Sequence, residues 1–384
     1  MRWLILLAAA ALAMDIGVAR LGYGLMLPAI KADLSGSYGA YGYIAALHLG
    51  SYLIGSMIAP SILRWLNWRY SFVLAHLLLA AGLLSQSYAT TIEVLAVNRA
   101  LLGIASGIGV LFAIGAALEL AAPHERLSVS AMMWAGVAIG IVLSAPAGGW
   151  VLVEIQRWRD VSRWTAFPTL IIALLAMLSK FPVSIFHKSE TSTLRIRKTF
   201  QQLKSSVYLL WSYALYGFAY FIYATFIFIS ASQGLQMRNF VTWLWAVFGV
   251  TAAIGSLTLP VFMRGSRRDS AMATSVGLGV LGALASIVPG VETSILGALF
   301  IGLGLTVTPA VASAYVRERV STSVGPSALA VASVACGAGQ MVGPSIAGMF
   351  ADFFGPSSIS ILVFAAYCFA TIFAIIDRRC QRVI

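Results

Sequence analysis

Twelve membrane-spanning helices in two pseudo-symmetric six-helix bundles, an all-α polytopic protein, is the fold class this sequence predicts. Three observations carry it: a composition too apolar for water, twelve apolar runs of spanning length, and an internal repeat at an offset of 200 residues. Of 384 residues, 60% are apolar and 10% charged, against about 25% charged in a soluble domain. So few charges cannot cover a water-facing surface of that size.

The runs lie near 4–30, 41–63, 70–88, 93–120, 128–152, 164–182, 206–232, 240–263, 270–289, 293–315, 323–350 and 357–376. A spanning helix needs about 20 mainly apolar residues, and the ten-residue alternation of a membrane barrel is missing. Arg2, the apolar run after it and Ala11-Leu12-Ala13 imitate a cleavable leader. The apolar character resumes after Asp15 and continues to Ile30, so the segment is expected to stay as the first span. The polar stretch 184–205 separates a bundle at 1–183 from a second at 206–384. Within it Ile196, Phe200 and Leu203 share a face beside Arg195, Arg197, Lys198 and Lys204, the pattern of a short helix on a membrane surface.

The net charge of +12 reflects loops rather than a nucleic-acid surface. With the N-terminus inside, eighteen of the 25 Lys and Arg fall in inner segments and five in outer loops. Lys and Arg favour the cytoplasmic side, so both termini are expected there, in a bacterial inner membrane. Cys336, Cys368 and Cys380 have neither even number nor CxxC spacing, so no disulfide framework, metal site or cofactor is indicated. No HExxH, Walker A or GxSxG motif occurs, and no enzyme is expected.

The repeat places Gly55-Ser56, Pro60 and Arg64 at the end of span two in register with Gly255-Ser256, Pro260 and Arg264 at the end of span eight. Gly17, Ala19 and Tyr23 of span one match Gly217, Ala219 and Tyr223 of span seven. Parallel halves of this kind place a binding site between them near the midplane.

These features resemble the major facilitator superfamily. Arg99-Ala-Leu-Leu-Gly103 with Gly107 is similar to its RxxxG motif in span four. Gly339-Gln-Met-Val-Gly343-Pro344, with Gly348 beyond, is similar to its GxxxGP motif in span eleven; Ala145-Pro146 with Gly149 is a looser counterpart in span five. The start, Gly17-Val-Ala-Arg20-Leu-Gly22-Tyr23-Gly24-Leu-Met-Leu-Pro28, resembles the YbfB/YjiJ-type branch. The resemblance implies a secondary transporter working by alternating access, with spans one and seven lining its cavity. One departure stands out. Where the superfamily has GxxxDRxGRR after span two, this chain has Pro60-Ser-Ile-Leu-Arg64-Trp-Leu-Asn67-Trp-Arg69. Arg64 replaces the acid of the usual latch, so any gate must use other partners.

Ionisable groups inside spans cost about 2.5–3.5 kcal/mol on insertion scales and are functional candidates by default. Asp15 could load and release a proton, or serve as a structural hydrogen bond. Arg20, about 140° further round an α-helix, stays charged and is expected to hold an anion or a carboxylate. Arg99 carries either a helix-positioning or a substrate role, and His48 either a packing or a relay role. Tyr213, Tyr216, Tyr220 and Tyr223 share one face of span seven, as packing or as a cavity wall, with Tyr23 facing them by the repeat. Gly55, Pro60, Arg64, Pro146, Gly149, Gly255, Pro260, Arg264, Gly339, Gly343 and Pro344 are expected to be conformational elements, since small residues let helices approach closely. The expected function is proton-coupled transport of a small organic anion or zwitterion by a monomer in the lipid bilayer, without nucleic acid. The alternative is a sensor or scaffold that kept the fold but lost transport.

Overall fold

The computed structural model describes residues 2–63, 65–122, 125–179, 198–199, 201–231, 238–263, 265–321 and 324–381. Arg64, Arg264 and most of the 184–205 segment lie outside them. Among the described residues twelve helices run α1 (Trp3–Leu34), α2 (Tyr38–Ile62), α3 (Trp68–Gln86), α4 (Ile92–Leu120), α5 (Arg126–Val153), α6 (Arg157–Leu178), α7 (Val207–Ala231), α8 (Arg238–Phe262), α9 (Ala271–Ala285), α10 (Val291–Glu318), α11 (Gly325–Phe354) and α12 (Ser358–Gln381). No strand occurs among the described residues. Eleven of these helices are long and apolar enough to cross a membrane, while α9 has 15 residues, preceded by a 3₁₀ segment, Gly265–Ser270.

Helix starts follow local chemistry. Ser37, Asn67 and Thr91 accept hydrogen bonds from the backbone N–H groups of Ala40, Tyr70 and Val94, each capping the helix that follows. Asn67, which stands where the family motif has glycine, is thus the cap of α3. The first span departs from ideal geometry. Between two α-helical pieces it is π-helical over Ala13–Arg20, with Leu21 N–H bonded to Ile16 O. Asp15 and Arg20 therefore sit on a backbone that closes hydrogen bonds at five residues instead of four, and the angle of about 140° expected for an α-helix does not describe them.

Each half is packed by glycines at equivalent places. A methyl group at Gly55 would lie 2.2 Å from Ile104 O, and one at Gly255 would lie 2.4 Å from Leu303 O. Gly103 meets His48 O at 2.2 Å as Gly302 meets Phe248 O at 2.7 Å. Gly17 abuts Val137 O, and Gly217 abuts Cys336 O. The contacts of one half thus recur in the other with a shift of 199–200 residues, which is the pseudo-symmetry that the repeat predicts.

The halves meet along α2 with α11 and α5 with α8, and the second part of α1 lies on α7, where Gly24 faces Ala224 O. At the end of the bundle away from the termini, Asp352 of α11 accepts hydrogen bonds from Tyr38 N–H at 2.7 Å and Gly39 N–H at 2.8 Å. A side chain of one half so caps a helix of the other. Gly348 packs on Tyr38 O and Gly42 on Pro344 O beside it.

Candidate functional site

Arg20 sits where the halves face each other. Its guanidinium lies 5.2 Å from the centroid of Tyr52 on α2 and 5.2 Å from that of Phe221 on α7. One Nη donates to Gln340 Oε1 on α11, and Gln340 Nε2 donates in turn to Cys336 Sγ at 3.0 Å. Tyr220 lies within electrostatic reach of the same cation and stacks on Tyr216 at 5.0 Å. Arg20 is 7% exposed, and its Nε–H is buried without a partner among the described residues. A buried unmet donor on a cation between two aromatic faces is a place that a ligand acceptor would fill.

A second polar cluster lies inside the N-terminal half. Asp15 Oδ2 is 3.4 Å from His76 Nε2 on α3, and the two residues are 1% and 0% exposed. His76 Nδ1 is 2.9 Å from Phe72 O; a carbonyl only accepts, so Nδ1 carries the hydrogen. Across from the pair stands Gly109, where a methyl group would lie 3.1 Å from Asp15 Oδ2 and 3.3 Å from the His76 ring.

The backbone between these clusters is held by Arg99. Its Nη1 donates to Ala19 O at 2.7 Å, and its Nη2 lies 3.5 Å from Arg20 O. Gly24 N–H bonds instead to Leu21 O, so the irregular turn leaves Arg20 O to the guanidinium. The Arg99 cation also covers the Tyr23 ring at 4.6 Å, and Tyr23 Oη donates to Tyr41 O at 3.2 Å. His48 Nδ1 donates to Arg99 O at 3.0 Å.

Comparison with known proteins now decides the family. The family model described as "Uncharacterised MFS-type transporter YbfB" matches residues 11–377. The chain belongs to this family. A purine ribonucleoside efflux pump, NepI, of Salmonella paratyphi A is 25% identical over 327 residues, covering 83% of this chain and 80% of its own length. NepI of Escherichia coli O127:H6 is 24% identical over 262 residues, and the match covers 67% of this chain and 62% of that protein. Among solved structures, the nucleoside transporter NupG aligns with TM-score 0.75 at 15% identity, covering 99% of this chain and 98% of that one. An inward-facing bacterial homologue of the human lysosomal transporter Spinster aligns at TM-score 0.76 and 14% identity, covering 99% and 97%. The fold is that of a major facilitator transporter, and the protein is a transporter rather than an enzyme.

Within this transporter the sequence-derived candidates separate into groups. Arg20 and Tyr220 come together at the interface between the halves. Asp15 joins His76 instead. Arg99, Tyr23 and His48 form the brace behind α1. Tyr216 Oη donates to Leu305 O at 2.9 Å, and the Tyr223 ring packs 6.0 Å from Phe248 with its hydroxyl near Gly297, so both turn into the C-terminal half. Gly339 and Gly343 lie against α7 at Ala214 O and Phe218 O, while Gly149 approaches Thr242 of α8 and Pro146 lies inside α5. Pro60 is in the last turn of α2 and Pro260 in that of α8. Sequence reasoning misses Tyr52, His76, Phe221 and Gln340. The rule that flags His48, an ionisable residue inside a span, applies equally to His76.

Proposed function

We propose that this transporter moves a purine nucleoside or a closely related small heteroaromatic solute across the bacterial inner membrane by alternating access, with both termini in the cytoplasm and a proton as the coupling ion. The observation that carries the reading is Arg20, a fixed cation at the interface of the two halves, flanked by aromatic rings and holding an unmet donor. A guanidinium matches the adjacent acceptors on a purine edge, and the rings supply stacking surface. The names of the NepI and NupG relatives support the solute class.

A second reading has its own support: Arg20 pairs with the neutral Gln340, and its charge would suit a small organic anion. Counterflow in proteoliposomes separates the two. Inosine and guanosine are expected to exchange against labelled inosine, whereas a panel of organic acids is not. Exchange by the acids alone would establish the second reading. Exchange of neither class, with retained binding, would leave a sensor that kept the fold.

A further inference from the structure

We propose that Asp15 and His76 together form the site of the transported proton, one proton held between Asp15 Oδ2 and His76 Nε2. The inference rests on the proton-coupled reading above and specifies which atoms do the coupling. It follows from counting donors. The His76 Nδ1 hydrogen is committed to Phe72 O, 2.9 Å away. In the neutral ring Nε2 is then a bare lone pair, and it faces a carboxylate oxygen at 3.4 Å. Both Asp15 oxygens and His76 Nε2 are buried, with no hydrogen-bond partner beyond this pair among the described residues. With no proton, two lone pairs oppose each other and a carboxylate is buried unpaired; with two, a net cation is buried. One proton, on either atom, gives a neutral pair or an ion pair with a single hydrogen bond.

Among the described residues, the charged groups nearest the pair are engaged with other partners. The helices packed on this part of α1 present Gly109 and Ser106 from α4, Val137 and Gly140 from α5, and Ala166 from α6. Among ionisable groups, Tyr52 of α2 lies within electrostatic reach of Asp15; Arg99 is engaged with Ala19 O and the Tyr23 ring, His48 with Arg99 O, and Arg20 with Gln340. Between residues 164 and 178, α6 has no ionisable side chain, and α5 has only Arg126 at its start. Gly109 leaves open the volume beside the pair that any side chain would fill. The site communicates with substrate through the backbone, because Asp15 and Arg20 lie on the same π-helical segment. Loss of the proton removes the bond that anchors one part of that segment while Arg20 holds the other.

The test needs no substrate at first. Purified transporter in nanodiscs is titrated by difference infrared spectroscopy, with isotope-labelled aspartate and histidine. The expected result is one carboxyl and one imidazole signal changing with a common midpoint, both lost in Asp15→Asn and in His76→Gln. A carboxyl signal that titrates unchanged in His76→Gln overturns the shared site, as does a wild type whose two signals have separate midpoints. In proteoliposomes, an imposed pH gradient is expected to drive inosine accumulation by wild type, while both variants only equilibrate it. Accumulation by His76→Gln equal to wild type, or driven by sodium without a pH gradient, also overturns the proposal. If the paired infrared signals appear but no solute is moved, the transport reading fails and the proton site stands.

Discussion

The two halves share one scaffold and divide the chemistry unequally. In the N-terminal half the scaffold buries Asp15, Arg20, His48, His76 and Arg99. The repeat places Leu215, Tyr220, Phe248, Val276 and Ala298 at the corresponding positions of the C-terminal half, none of them charged. The backbone differs with the chemistry. Gly140 touches α1 at Ala13 O while Gly17 touches Val137 O; Gly339 touches α7 at Ala214 O while Gly217 touches Cys336 O. Four residue steps of α1 thus span what three steps of α7 span. One extra residue lies in α1 between those contacts, and a π turn is how a helix absorbs such an insertion without losing its packing. Asp15 lies in that interval. At these positions the ionisable side chains lie in one copy, beside a local change of helix winding, and the other copy presents apolar or aromatic side chains.

The contrast is open to direct attack. The largest expected effect is that of Asp15→Asn, which removes pH-driven accumulation yet leaves exchange at equal pH in place. Adding Leu215→Asp to that variant should not restore accumulation, since α7 has no π turn and Val276 of α9 stands at the position of His76. Recovery of accumulation in the double variant would show the halves to be interchangeable. Arg20→Ala is expected to weaken solute binding by about 10–100-fold, matching the 1.5–3 kcal/mol of a hydrogen bond to a charged group; an unchanged half-saturation in counterflow would remove Arg20 from the site.

Smaller effects test the shared scaffold. Gly17→Ala and Gly217→Ala should lower thermal stability by similar amounts, as should Gly55→Ala and Gly255→Ala, each on the order of 1–3 kcal/mol for overpacking against a carbonyl. A loss confined to one member of each pair would break the symmetry argument. The smallest effect is assigned to Tyr223→Phe, because that hydroxyl points into the C-terminal half. Its counterflow kinetics should match those of wild type.

Hydropathy and length carry eleven of the twelve helices, and the glycine matches carry the repeat, because both depend on residue size and solvent preference alone. The π segment is not legible in the sequence. An inserted residue leaves hydrophobicity untouched and shows only as a contact register between helices. Gln340 reads as a motif spacer, since its meeting with Arg20 joins positions 320 residues apart. Tyr223 has the right spacing for the α7 stripe but lies where the helix turns toward α8, a distinction that periodicity does not make. Asp352 sits near a span end, where acids ordinarily reach water, so nothing in the sequence marks its partner, a helix start in the other half. Arg64 and Arg264, expected as conformational elements at the ends of spans two and eight, lie outside the described residues.

The glycine contacts also bear on how the chain is made. Those of Gly17, Gly55, Gly82 and Gly103 are all to residues numbered below 141, so the first bundle can finish its internal fit before the ribosome reaches α7. Folding by successive units is the general habit of long chains during synthesis. Here it implies that a nascent chain paused within 184–205 already holds a packed Asp15–His76 pair, and that the two bundles, inserted as separate polypeptides in one membrane, have the surfaces needed to find each other.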